Sequence, residues 1–162
     1  MNDERLIKLD RLRYTKNTTS SRLAILAILF DVLFFVSIYK SDVGTYYYNI
    51  LIGASIIYNL VFMLAVFLGS EGVKNYKQGY SWLLVALGVI QIVRIFILPA
   101  GAHAATVRAG GVQTQVMGDA QYIRVIVYLA VSAVCLFVSA AVNLRKSRAL
   151  DANVASLNGR QA

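Results

Sequence analysis

Cysteine, histidine and proline occur once each in this chain, and each scarcity removes a class of chemistry. The lone Cys135 cannot close an intramolecular disulfide or hold a cysteine metal cluster. The lone His103 has no companions for zinc, which takes four ligands drawn from Cys, His and carboxylates. In the outer loop where the sequence places it, it reads as a solvated side chain. No metal and no cofactor is expected. Acidic residues are few as well, 8 against 16 Lys and Arg. A nucleophile, a base and an orienting group cannot be assembled from so sparse a set. The expected class is therefore not an enzyme. Nor is there a polar stretch long enough to bury a soluble domain of its own.

What the chain does have is hydrocarbon. Hydrophobic residues make up 58% and the mean hydropathy is +0.61, where soluble chains hold about 45–50% apolar residues. The apolar residues gather into four stretches, 23–39, 46–68, 82–98 and 123–144. A bilayer core about 30 Å thick needs about 20 residues of helix, with ~17 the lower limit. Each stretch reaches that limit and is apolar all round, not along one stripe as a soluble helix would be. The expected fold is an all-α integral membrane protein, a four-transmembrane-helix bundle over 23–144. It is flanked by a basic segment, 1–22, and a tail, 145–162.

The net charge of +8 would suggest nucleic acid in a soluble domain. On a membrane protein it marks flanks facing anionic lipid, so the bilayer is the expected partner and nucleic acid is not. Four spans put both termini on one side with the loop between the second and third. That side carries twelve basic residues, among them Lys16, Arg22, Lys74, Lys77, Arg145, Lys146 and Arg148, against Lys40, Arg108 and Arg124 opposite. Cytoplasmic termini in the cell membrane follow from the positive-inside rule. Tyr46, Tyr47, Tyr48 and Tyr122 would mark the outer interface, and Tyr76, Tyr80 and Trp82 the inner one. The first span lacks a small-residue cleavage pattern and reads as a retained anchor.

The flanks carry weaker patterns. Leu6, Leu9 and Leu12 recur at helical spacing among Arg5, Lys8, Arg11 and Arg13, which suggests a short amphipathic helix on the cytoplasmic leaflet. Asn17 to Ser21 offer capping side chains ahead of the first span. Past Asp151 the tail is expected to be mobile. Pro99 is expected to end the third helix and open a long loop, 99–121. There Val112, Thr114 and Val116 alternate with Gln113 and Gln115 after Gly110-Gly111, a pattern for a small external β-hairpin, with a flexible lid as the alternative.

The chemistry-bearing residues are the polar ones inside the spans. Asp31 lies near the middle of the first stretch, where an aspartate costs roughly 2.5–3.5 kcal/mol to insert. It should face the bundle and have a partner. Arg94, in the parallel third span, sits four residues further along, about 6 Å on the helix axis. Its side chain leans back toward the helix N-terminus and so toward Asp31. Gln91 lies one turn below Arg94, and Asn59 of the second span sits at a similar depth. These four are the expected intramembrane polar network. Tyr128, Ser132, Cys135, Ser139 and Asn143 recur at steps of three and four, a stripe expected to pack against other helices.

Two functions fit such a chain. One is a non-enzymatic accessory or regulatory subunit, associated with other membrane subunits or with itself. The other is a small oligomeric transporter using Asp31 as an intramembrane proton or cation site.

Overall fold

The computed structural model describes residues 15–38, 46–109 and 112–158 together with Ile7, with backbone alone at 46–52, 107–109, 112–114 and 157–158. The remainder of the expected amphipathic segment and the last residues of the tail lie outside the described residues. Four long helices follow one another: α1 (Thr18–Ile38), α2 (Tyr46–Lys74), α3 (Gln78–Ala104) and α4 (Asp119–Asn158). Each contains a stretch long and apolar enough to cross a membrane. Between α3 and α4, strands β1 (Thr106–Ala109) and β2 (Val112–Gln115) pair antiparallel, Thr106 opposite Gln115 and Ala109 opposite Val112. One end of the bundle thus carries the sheet, and the other carries the α2–α3 turn and the approaches to both termini.

Every helix outruns its apolar core, and two sequence expectations fail for that reason. Pro99 does not end α3. It lies buried inside a helix that continues to Ala104. Its ring deletes one N–H from the ladder, a loss that packed neighbours in a membrane bundle can accommodate. The tail, expected to be mobile past Asp151, is helical to Asn158, and Gln78 Nε2 donates to Asp151 Oδ2 at 2.6 Å. Ser20 and Ser21, expected to cap the first helix, lie within α1 and reach across to other helices instead.

The outward faces are apolar. Ile57, Leu64, Phe96 and Ile97 are each at least 60% exposed, an arrangement suited to hydrocarbon and not to water. Inside, the apolar core is in two parts. Toward the terminal end Ala24, Ala27, Phe62, Val66, Leu84, Leu136 and Ala140 pack together. Toward the sheet end Phe34, Ile38, Met117, Val125 and Leu129 form a second cluster. Asp31 on α1 falls between Ala27 and Phe34, and Ser132 on α4 falls between Leu129 and Leu136. A polar layer therefore separates two apolar cores.

Turns and close approaches fix how the helices meet. Tyr76, between α2 and α3, adopts φ 57°, the left-handed conformation that commonly stops a helix. Its carbonyl accepts from Ser147 Oγ at 2.8 Å. Just before the turn α2 presses against α3: a methyl group on Gly72 would overlap the Tyr80 ring, and one on Gly69 would overlap Leu84.

Candidate functional site

The polar layer is built from three helices. Asp31 and Gln91 are fully buried and Arg94 is 7% exposed. Arg94 Nη1 donates to Asp31 Oδ1 at 3.0 Å, and Gln91 Nε2 donates to the same oxygen at 2.9 Å. Gln91 Nε2 also reaches Ser132 Oγ at 3.2 Å, and that hydroxyl donates to the Ala27 carbonyl at 3.0 Å. One amide thus ties α3 to both α1 and α4. Arg94 is further held between aromatic faces, its Cζ 4.2 Å from the Phe34 ring centre and 4.7 Å from that of Tyr58. Such contacts strengthen when water is excluded.

Asn59 stands apart. Ser21 Oγ and Ser70 Oγ meet at 2.8 Å. Ten residues along each antiparallel helix from that contact, Asp31 comes level with Leu60, next to Asn59. Asn59 is 1% exposed at that depth, yet neither end of its amide has a hydrogen-bond partner among the described residues. The network brings together three of the four expected residues, with Ser132 in place of Asn59. Depth along a helix is readable from sequence; rotation about its axis is not.

The α4 stripe divides in the same way. Ser132, Ser139 and Asn143 are fully buried and Cys135 nearly so. Tyr128 is half-buried, its ring 6.3 Å from that of Phe30. Ser139 Oγ donates to the Ser20 carbonyl at 2.7 Å, and Ser20 Oγ returns a bond to the Ser139 carbonyl. Asn143 Nδ2 donates to Ser81 Oγ at 2.7 Å, and its Oδ1 accepts from Asn17 Nδ2 at 3.0 Å. Lys146 Nζ reaches Asn17 Oδ1 at 3.1 Å, and the Asn17 backbone N–H donates to the Lys74 carbonyl at 2.9 Å. This clasp at the terminal end joins all four helices. Sequence offered Asn17 and Ser20 only as caps and Lys146 only as a basic flank, and did not single out Ser81, because a serine or asparagine at a span's edge is equally at home in water. The available signal was that Ser20, eleven residues before Asp31, lies on the same face of α1.

At the sheet end, His103 is not a solvated loop residue. It occupies the last turn of α3, with Nε2 2.9 Å from Asp119 Oδ1 and its ring stacked 4.3 Å from that of Tyr122. Gln121 Nε2 donates to the Ser37 carbonyl at 2.7 Å. Both contacts pin the start of α4.

A charged layer enclosed by four bilayer-length helices defines the class as a multi-pass membrane protein. No protein family, curated protein or solved structure matches the chain.

Proposed function

We propose that the protein is a non-enzymatic accessory or regulatory subunit of a larger membrane complex, set in the cell membrane with both termini cytoplasmic. The observation that carries this reading is the mutual commitment of Asp31 and Arg94, flanked by apolar cores on both sides. A carboxylate so engaged serves better as a fixed brace than as a site that must load and release an ion. The basic residues at the terminal end support its cytoplasmic placement, which puts β1 and β2 outside as a surface for contact with another subunit. Cysteines placed at Thr114 and Ser156 test the orientation, with an impermeant reagent labelling the first and sparing the second in intact cells.

One observation favours transport as the second reading. Asp31 Oδ2 is buried without a hydrogen-bond partner among the described residues, and an intramembrane carboxylate can carry a proton. Purification in mild detergent separates the two readings. A stoichiometric co-purifying membrane protein is the expected result. A homo-oligomer alone, with proton flux in liposomes that Asp31→Asn abolishes, would reject the accessory reading for the transporter.

A further inference from the structure

At the terminal end α4 runs on past the other helices. Its apolar stretch gives way to Arg145, Lys146 and Arg148, yet the helix continues to Asn158, about 18 Å beyond Lys146 at 1.5 Å per residue. Ser139, Lys146 and Asn153 are seven residues apart, two turns each, and so share one flank of α4. Ser139 faces Ser20 and Lys146 faces Asn17, so this is the flank that the start of α1 covers. Ser147 and Asp151 lie on the other flank, against Tyr76 and Gln78.

Asn153 is only 6% exposed, while Ala152, Ala155 and Ser156 around it are exposed. A helix standing alone leaves every face open, so burial on one flank means that another segment lies there. The described approach to α1 stops short of it. Asn153 is about 10 Å beyond Lys146. Thr15, two residues before Asn17, adds at most about 7 Å of chain, and Thr15 and Lys16 are themselves exposed. The four residues after Asn158 are Gly, Arg, Gln and Ala, with no large apolar side chain. Residues 1–14 enter on this flank and hold Leu6, Leu9 and Leu12. As a helix they span about 21 Å, which matches the projection of α4. Leu150 and Val154, half-buried next to Asn153, supply the apolar surface. Ile7 is helical and 58% exposed; two residues from Leu9, it falls on the opposite side of a helix.

We propose that residues 1–14 form a basic amphipathic helix docked antiparallel along the α4 projection, with Leu6, Leu9 and Leu12 against Leu150, Asn153 and Val154. The α1–α4 contact is thereby prolonged past the membrane as a two-helix stalk, and the leucines face α4 instead of the leaflet. Apolar side chains gain by leaving water whichever surface takes them; the covered flank at Asn153 decides for α4. The inference does not rest on the accessory-subunit reading, and it holds on whichever side of the membrane the termini lie.

The experiment places single cysteines in the full chain in lipid nanodiscs and follows labelling by a water-soluble maleimide. The wild type, whose Cys135 is buried, gives the background. Asn153→Cys should react about tenfold more slowly than Ala152→Cys, because labelling waits on local opening. Adding Leu9→Asp should bring the two rates together, whereas adding Ile7→Asp should leave the protection in place. In the Leu9→Cys, Asn153→Cys double variant a short bis-maleimide should form a cross-link within one chain. Equal rates for Asn153→Cys and Ala152→Cys with no other change would overturn the proposal, as would protection that survives Leu9→Asp. A cross-link between two chains would overturn it in favour of a second copy. Quenching of a fluorophore on Leu9→Cys by brominated lipid would overturn it in favour of the leaflet.

Discussion

The α1–α4 contact and the α2–α3 contact are built on opposite plans. Along α1 and α4, hydrogen bonds recur from end to end: Asn17 with Asn143, Ser20 with Ser139, Ser132 with the Ala27 carbonyl, and Gln121 with the Ser37 carbonyl. Small and hydroxylated residues let two helices approach closely in lipid, where no hydrophobic force draws them together. The α2–α3 contact has no such ladder among the described residues. Glycines bring it together at one end, and at the other it parts around a cleft with orphaned hydroxyls. The first contact is a hydrogen-bonded spine. The second is fastened at the turn and open further along, which is where a ligand or a motion has room.

Between the two contacts stands the ion pair, and breaking it should have the largest effect. Asp31→Asn or Arg94→Gln alone leaves a buried charge without its counter-ion, at a cost of roughly 3–5 kcal/mol. The double variant should recover much of that loss. A double-mutant cycle on thermal unfolding in detergent measures the coupling. Coupling near zero would mean that the layer does not brace the bundle, and it would remove the main support for the accessory reading.

The same substitution at the two contacts gives the sharpest contrast. Ser139→Leu puts a branched side chain into a closed spine, which costs about 1–3 kcal/mol in overpacking and also takes a partner from Ser20. Ser55→Leu places the same side chain beside open space and removes an unpartnered hydroxyl, so stability should hold or rise slightly. Equal losses at both sites would show that α2 and α3 are as tightly packed as α1 and α4.

Why one contact could be anticipated and the other could not is a matter of geometry. The four spans are legible because a run of about 20 apolar residues has few other uses. The pairing of Asp31 with Arg94 is legible because both sit near mid-span and helical side chains lean toward the N-terminus. The α4 stripe is legible from its spacing. The cleft is not, because it depends on how far α2 and α3 are rotated and tilted, and Ser55 reads the same with or without a partner. The same ignorance of rotation misassigned Asn59 to the network. The end of α3 was misjudged at Pro99 because soluble-protein stop signals are weaker where tertiary contacts hold the chain helical.

The smallest effect is expected at the fastening itself. Tyr76 holds φ 57°, a conformation that costs a residue with a side chain roughly 1–2 kcal/mol. Glycine adopts it freely but gives back about 0.5–1 kcal/mol through its larger unfolded-state entropy. The Ser147 hydroxyl bonds to the backbone carbonyl at this position and would keep its partner in the variant. Tyr76→Gly should therefore raise stability by no more than about 1 kcal/mol, read as a small upward shift of the unfolding midpoint in detergent. A clear loss instead would show that the Tyr76 ring, and not its backbone, secures the turn. The closed end of the α2–α3 contact would then depend on an aromatic anchor at the membrane surface more than on the glycine approach at Gly69 and Gly72.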